Sequence, residues 1–175
     1  MEIVPLTQRR YPLAMDSVVH PFPPIYDEKS KILILGSFPS VKSREEGFYY
    51  GHPRNRFWPM LERIFSAKAG TIEEKKELLL LNHIALWDSI ASCHIEGSAD
   101  SSILDAVPND ILTLLNKTQI ERIITNGRKS YEVYMEYIFP KTSVEPIYLP
   151  STSPANASWT LDKLIDAWKQ YLTSN

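Results

Sequence analysis

Short apolar runs alternate with amphipathic segments along most of the chain. Runs that are rich in leucine and β-branched residues, and bounded by polar or turn residues, predict buried strands at 31–35, 84–87, 120–125 and 144–149. Apolar residues at helical spacing predict five helices: Phe57–Phe65, about 71–81, a helix after residue 109, about 128–138 and about 160–172. Capping signals support two of them. Thr71 and Glu74 form a capping box before the second helix, and Asn109 is a suitable cap for the third.

This order of elements predicts the fold class. Strands that alternate with helices favour an α/β protein with three-layer α/β/α architecture around a central, mainly parallel four-stranded sheet. With 175 residues the chain fits a single domain. Residues 1–30 contain five prolines, which favour extended structure, so we predict an N-terminal arm that wraps the domain.

Composition narrows the classes of protein that are possible. The chain is 43% hydrophobic and 23% charged, which indicates a globular protein. Apolar runs are too short to span a membrane and the N-terminus lacks the apolar core of a signal peptide, so we expect a cytoplasmic or nucleoid-associated protein. One cysteine excludes an internal disulfide and a four-thiolate cluster, and the four histidines lack ligand spacing. We therefore expect no metal and no cofactor.

The loop after the first predicted strand combines a tight turn with aromatic, basic and amide side chains. It reads Gly-Ser-Phe-Pro-Ser at residues 36–40 and Phe-Tyr-Tyr-Gly-His-Pro-Arg-Asn-Arg-Phe-Trp at residues 48–58. Aromatic rings stack on flat groups, guanidinium groups bind phosphate oxygens, and an amide reads a base edge or positions water. The loop therefore predicts a site for a planar aromatic ligand that carries phosphate.

A third motif lies late in the chain, at residues 150–157 (Pro-Ser-Thr-Ser-Pro-Ala-Asn-Ala). Together the three segments resemble the uracil-DNA glycosylase superfamily, and within it the hypoxanthine-DNA (deoxyinosine) glycosylase branch. The resemblance runs from about Pro21 to the last helix, with the motifs in the family's order. It implies a monomeric base-excision repair enzyme that acts on DNA containing deaminated bases and hydrolyses the N-glycosidic bond of a flipped base, with hypoxanthine in deoxyinosine as the expected substrate.

The resemblance also suggests the catalytic groups. In better known relatives the third residue of the first motif is an Asp or Asn that handles the water, whereas this chain has Phe38, which cannot. Asn55 is the best substitute, able to contact the purine or hold the water, although an Asn also pins loops through backbone hydrogen bonds. Asp88 is a second catalytic candidate as a general base or a stabiliser of the sugar cation, and alternatively caps a following helix.

Further residues are candidates for base and DNA contacts. Phe38, Tyr49 and Tyr50 are expected to line the base pocket, with ordinary core packing as the alternative. His52, Asn126 and Ser151 are candidates for polar contacts to the base, although Asn126 also fits a simple turn with Gly127. For DNA binding the resemblance and the basic side chains suggest the following set: Ser40, Arg54, Arg56, Ser153, Ala155 and Asn156.

Charge supports a local rather than a general affinity for DNA. The net charge of −2 disfavours a protein that coats nucleic acid, because such domains are usually basic throughout. Basic residues cluster around the first motif (Lys42, Arg44, Arg54, Arg56 and Arg63), whereas acidic residues are expected elsewhere (Glu73, Glu74, Glu77, Asp100 and Asp105).

Several alternatives stay open. The base removed could be uracil or xanthine, or the protein could be a non-catalytic sensor of damaged DNA, which Phe38 makes possible. A hydrolase that uses Ser37 or Ser40 is disfavoured because neither lies in a Gly-Xaa-Ser-Xaa-Gly elbow. A nucleophilic Cys93–His94 pair is disfavoured, because the local sequence shows no obvious acid to support it. No lysine occupies a position expected for a Schiff base, so we expect a monofunctional enzyme.

Overall fold

A computed structural model describes residues 15–173, and the predicted arm before residue 15 lies outside the described residues. A four-stranded parallel sheet has the order β3-β2-β6-β7. Its strands are β2 (Ile32–Gly36), β3 (Ile84–Asp88), β6 (Arg122–Asn126) and β7 (Pro146–Leu149). The predicted strands are confirmed, with ends that shift by one or two residues. The three-layer α/β fold class is confirmed as well.

Helices cover both faces of this sheet because its central strand alternates between two apolar layers. Ile32 and Ile34 of β2 pack with α2 (Phe57–Phe65), α3 (Ile72–Leu81) and α7 (Leu161–Leu172). Leu33 and Leu35 pack with α4 (Ile111–Asn116) and with a continuous helical segment on the other face. That segment comprises α5 (Arg128–Val133), a π-helical turn (Tyr134–Ile138) and α6 (Phe139–Thr142). Each fully buried aliphatic side chain contributes about 1.5–3 kcal/mol.

The helix ends follow the capping signals in the sequence with one exception. Thr71 and Glu74 form the predicted capping box of α3, and Thr160 caps α7. The predicted cap Asn109 is wrong, because Asp110 accepts the hydrogen bond from the backbone of Thr113 and caps α4. Asn109 instead donates through Nδ2 to the carbonyl of Asp88, which ties the start of α4 to the end of β3.

A second, antiparallel sheet was not predicted. It has the order β1-β4-β5 and is built from β1 (Asp16–Val19), β4 (Ile90–Ile95) and β5 (Leu104–Pro108). Its register shifts twice between β4 and β5, which breaks the alternation that identifies a strand in sequence. Only Ser89 separates β3 from β4, so the second sheet continues directly from the carboxyl end of the first.

One further helix, α1 (Val41–Glu46), lies between the first motif and its aromatic continuation. Ser40 caps it by accepting a hydrogen bond from the backbone of Ser43, and Gly47 ends it in the left-handed conformation. Ser43 Oγ in turn accepts a hydrogen bond from the backbone of Gly51, so the helix holds the aromatic loop close to the first motif. Over residues 15–173, no helix is both long and apolar enough to cross a lipid bilayer.

Candidate active site

A pocket of about 130 Å³ opens where β2, β3 and β6 end. This is the position at which doubly wound sheets bind ligands. Its volume is below the roughly 300–1,000 Å³ of pockets for drug-sized ligands, so it suits a single flat base. Ten of the residues predicted from the sequence line it: Phe38, Ser40, Tyr49, Tyr50, His52, Asn55, Asp88, Asn126, Ser151 and Ser153.

The turn after β2 leaves room for the pocket because its first residue is glycine. The register of the sheet pairs Gly36 with Asp88. A Cβ on Gly36 would lie 2.4 Å from Oδ1 of Asp88 and 2.8 Å from the hydroxyl of Tyr50. Both distances are far below van der Waals contact, so a side chain here would displace one or both polar groups.

Asp88 is a buried carboxylate paired with a histidine. It is 3% exposed, and its Oδ2 lies 2.7 Å from Nε2 of His20, whose side chain is similarly buried. Nδ1 of His20 lies 2.8 Å from the carbonyl oxygen of Phe22 and must donate to it. A proton is therefore shared between Nε2 and Oδ2, which compensates the buried charge. The alternative that Asp88 caps a helix is wrong, because the chain continues through Ser89 into β4.

A hydrogen-bonded chain of side chains fixes Asn55. Oδ1 of Asn55 accepts from the backbone of Phe57 at 2.9 Å and from the hydroxyl of Thr152 at 3.0 Å. Thr152 accepts in turn from Nδ2 of Asn126, whose amide also donates to the hydroxyl of Tyr50. Because Oδ1 is committed twice, the Nδ2 donor of Asn55 is the group that remains for a ligand. Asn55 therefore pins its loop and also presents an N–H donor to the pocket.

Asn126 lines the pocket as predicted, but its amide is engaged by neighbouring residues. Its Nδ2 donates to Tyr50 and Thr152, and its Oδ1 accepts from the backbone of Thr152 at 3.1 Å. These bonds occupy both amide protons, so Asn126 positions its neighbours more than it offers contacts to a base. The predicted turn after it is present, since Gly127 adopts φ +92° and lets Ser151 approach closely.

Tyr50 has a strained backbone. Its φ of +54° is in the left-handed region, which costs a non-glycine residue about 1–2 kcal/mol. Its ring packs on Phe57 at a centroid distance of 4.2 Å. Burial, and next the charge of Asp88, raise the pKa of the Tyr50 hydroxyl well above its usual range, so the group stays protonated. Strain of this kind is typical of functional sites.

The other aromatic residues contribute to the pocket wall and to the core at once. Tyr49 is 2% exposed and donates from its hydroxyl to the carbonyl of Pro23 at 2.9 Å. Phe38 packs with Ile90 and Cys93 beneath the antiparallel sheet and still lines the pocket. The functional and the packing interpretations of these two rings are therefore compatible.

His52 lies on the pocket wall in a defined orientation. Its Nδ1 accepts from the backbone N–H of Arg54 at 3.1 Å, so in the neutral ring Nε2 carries the hydrogen. The side chain thus offers an N–H donor, which is compatible with a contact to a base or to phosphate.

The predicted position of Asp100 is wrong. It was expected away from the first motif, but it lines the pocket, and its Oδ1 accepts from the hydroxyl of Ser37 at 2.8 Å. The residue is exposed, yet its carboxyl group faces the pocket. Partial burial raises its pKa and the charge of Asp88 adds to this, although the bond from Ser37 opposes the shift. The pocket wall therefore contains two carboxyl groups, those of Asp88 and Asp100.

Arg56 organises the late loop. Its guanidinium donates to the carbonyl oxygens of Thr152 at 3.1 Å, of Ser153 at 2.9 Å and of Asn156 at 3.2 Å, and it also bonds to the carbonyl of Trp159. With most of its N–H groups committed, Arg56 is better suited to positioning this loop than to the phosphate contact predicted for it. Arg54 is exposed and keeps the predicted role as its candidate function.

The late loop is tightly folded on itself. Ser151 accepts through Oγ from the backbone of Ser153, and Ser153 accepts likewise from Ala155. Asn156 donates from Nδ2 to the carbonyl of Ser151, which turns its side chain inward and leaves Ala155 exposed. All four residues line a groove of about 880 Å³ beside the base pocket, which also contains Arg128 and Lys129.

Cys93 does not belong to the chemistry of the site. It is buried, and burial raises the pKa of its thiol to about 11, so the reactive thiolate is suppressed. Within the described part of the chain, no three His, Cys, Asp or Glu side chains are grouped so as to hold a metal ion.

Sequence reasoning missed three residues of the site, namely His20, Thr152 and Asp100. His20 is 68 residues from Asp88 and lies in a proline-rich segment without a recognised motif. Thr152 lies inside the late motif between the two serines that were chosen, so the motif itself held the signal. Asp100 follows Gly97, Ser98 and Ala99, a turn-forming stretch typical of a surface loop, and no local pattern reveals that it folds over the first motif.

Comparison with known proteins agrees with this geometry. The sequence model of the uracil DNA glycosylase superfamily matches residues 23–173. A hypoxanthine DNA glycosylase from Methanosarcina acetivorans is 37% identical over 145 residues, which cover 81% of this chain and 90% of that protein. One from Methanosarcina barkeri is 37% identical over 138 residues, covering 77% and 86%. A solution NMR structure of a Methanosarcina acetivorans protein superposes with a TM-score of 0.71 and 34% identity, covering 86% of this chain and 96% of that one.

Proposed function

Since this chain belongs to the uracil DNA glycosylase superfamily and is therefore a DNA glycosylase, we propose that it removes hypoxanthine from deoxyinosine by hydrolysing the N-glycosidic bond. It leaves an abasic site and does not cleave the strand. The observation that carries this proposal is the fixed amide of Asn55 in a pocket sized for a single base. The two relatives named for hypoxanthine support the choice of substrate.

The chemistry requires stabilisation of charge in two places. As the bond breaks, the sugar becomes cationic and the departing purine becomes anionic. Nδ2 of Asn55 is an N–H donor held in place before the reaction, so it stabilises the negative charge on the purine or orients the attacking water without reorganising. The carboxyl groups of Asp88 and Asp100 lie in the same pocket and favour the cationic sugar.

The aromatic wall contributes by binding the flipped base. Phe38 and Tyr49 line the pocket, where stacking of a ring on a base is worth about 1–3 kcal/mol. A deaminated base is held weakly in the duplex, which lowers the cost of flipping. A short exposed Ala155 offers little surface to replace the flipped nucleotide, so weak pairing in the substrate helps this protein in particular.

The test uses duplexes that carry inosine, uracil or xanthine, treated with protein in the presence of EDTA and then with alkali to reveal abasic sites. We expect release of hypoxanthine from inosine, and rates on uracil and xanthine rank the alternative substrates. Asn55→Ala should lower the single-turnover rate on inosine at least about tenfold, equal to 1.4 kcal/mol, with little change in DNA affinity. Asn116→Ala, an exposed asparagine at the end of α4, is the matched control.

Three results would contradict parts of this proposal. Binding without abasic sites would identify a non-catalytic damage sensor. Loss of activity with EDTA would indicate a metal. An unchanged rate in Asn55→Ala would move the chemistry to the carboxyl groups of the pocket.

A further inference from the structure

The groove beside the base pocket is continuous with it. Its volume is about 880 Å³, against about 130 Å³ for the base pocket, so it has room for a further nucleotide. Asp100, Ser151 and Ser153 line both cavities and form a shared rim between them. A flipped nucleotide stays joined to its neighbours through the sugar-phosphate backbone. A nucleotide next to the one in the pocket is therefore within reach of the groove.

Tyr148 presents an aromatic ring to this groove. It lies in β7, the edge strand of the parallel sheet, and 51% of its surface is exposed. Its ring packs against that of Tyr131 in α5 at a centroid distance of 5.2 Å, so the exposed ring is supported from one side. Aromatic side chains of this kind stack on nucleobases without regard to sequence, because every base has a π-face.

The charges of the groove are compatible with a phosphate. Its two acidic residues, Asp100 and Glu132, are matched by two basic ones. Arg128 donates to the carboxylate of Glu132 at 2.8 Å. Lys129 is half-buried at the start of α5, and its charge acts on Asp100 at the shared rim. The ammonium group of Lys129 is thus close to the rim that a phosphate between the two nucleotides would cross.

On the basis of the proposed glycosylase function, we propose that the groove is a second base site, which binds the base next to the flipped one on the ring of Tyr148. To reach this ring the neighbouring base must leave its own stack. In a duplex it must also leave its partner, and this cost offsets the gain from the ring. In a single strand it has no partner to lose. The second base site therefore favours deaminated bases in single-stranded or locally melted DNA.

A double-mutant cycle between protein and DNA tests the contact directly. Affinity is measured for single strands that carry a 2′-fluoro analogue of deoxyinosine, because the fluorine disfavours the cationic sugar and prevents cleavage. The nucleotide on each side of the analogue is in turn left intact or deprived of its base. On the side that enters the groove, Tyr148→Ala should weaken binding at least about fivefold with the base present and less than about twofold without it.

Three further variants serve as controls. Tyr148→Phe keeps the ring and should keep the coupling to the neighbouring base. Tyr137→Ala removes an exposed tyrosine of the π-helical turn that does not line the groove, so it should bind both DNA forms as the wild type does. Lys129→Ala should weaken binding with or without the neighbouring base and reduce the salt dependence by about one unit. Thermal unfolding checks the fold of every variant.

The preference for unpaired DNA is measured with cleavable deoxyinosine. Single-turnover excision is compared on a single strand, on the matched duplex and on a duplex whose neighbouring base is mismatched. In Tyr148→Ala the ratio of the single-strand rate to the matched-duplex rate should fall at least about threefold, because only the single strand uses the ring fully. The mismatched duplex should respond as the single strand does, since its neighbouring base is already weakly held.

The outcomes separate this inference from the proposed function. If Tyr148→Ala weakens binding equally with and without the neighbouring base, or not at all, the groove does not hold that base and the inference is overturned. If the wild-type protein releases no base from any DNA, the proposed function fails, whereas the affinity cycle needs no catalysis and still decides the inference. Coupling on one side of the lesion that is lost in Tyr148→Ala and kept in Tyr148→Phe supports it.

Discussion

Replacement of Arg56 by lysine distinguishes two possible roles of this side chain, a contact to DNA phosphate and the positioning of the late loop. The substitution keeps the positive charge but replaces a planar fork with a single ammonium group on a flexible stem. A phosphate contact made only through charge would survive this change. The bonds from Arg56 to four backbone carbonyls of residues 152–159 would not, because one ammonium group cannot reach all of them.

The size of the effect follows from these bonds. If lysine retains one or two of the four, two or three are lost, at about 1 kcal/mol each. The expected destabilisation is therefore about 2–3 kcal/mol. For a domain of this length each kcal/mol lowers the Tm by roughly 2–4 °C, so the Tm should fall by about 4–12 °C. Excision should fall as well, because Thr152 in the same loop holds the amide of Asn55.

Thermal unfolding, single-turnover excision and DNA affinity at several salt concentrations are measured together. Arg54→Lys should match the wild-type protein in Tm because Arg54 is exposed, and Arg54→Ala should reduce the salt dependence of binding by about one unit. If Arg56→Lys instead melts with the wild type, and Arg56→Ala reduces the salt dependence by one unit, the loop-positioning role is refuted and Arg56 is a phosphate contact.

Further expectations concern other parts of the pocket and core. Gly36→Ala should abolish most excision and lower the Tm, because the new Cβ would lie 2.4 Å from Oδ1 of Asp88; wild-type rates and stability would show that the pocket yields easily. Asp100 has a raised pKa in the folded state, so its ionisation opposes folding as the pH rises above about 4. Asp100→Asn should therefore have a higher Tm than the wild type at neutral pH, and the gap should close below the ordinary carboxyl range. Cys93 should react with a thiol reagent only on unfolding, since burial raises its pKa to about 11.

The sequence predicted those elements whose local residue pattern directly reflects their burial or their capping. Parallel strands covered on both faces are continuous apolar runs, so the four strands of the main sheet were predictable. The loops after those strands meet at one edge by topology alone, which brought Asn55 and Asp88 together without knowledge of any contact. The capping box of α3 was visible because it depends on residues three apart.

The features that were not predicted from the sequence depend on contacts between residues that are distant along the chain. The bulged β4 lacks the alternation of a regular strand, and with it the antiparallel sheet was missed. The different tasks of Arg54 and Arg56, two residues apart, are decided by how the late loop folds over one of them. The pairing of His20 with Asp88 arises because β1 docks on β4, which no local property of the segment reveals.

The position of His20 near the start of the described chain matters for the design of protein fragments. The similarity to the superfamily begins at residue 23, and a fragment designed from that boundary would retain Asn55, Asp88 and every motif. It would nevertheless remove β1 and the imidazole that pairs with the buried carboxyl group of Asp88, and breaking a buried pair of this kind typically costs about 3–5 kcal/mol. The part of the chain that is recognisable by similarity is thus shorter than the part that contains both members of the His20–Asp88 pair. An expression plasmid should encode the longer part.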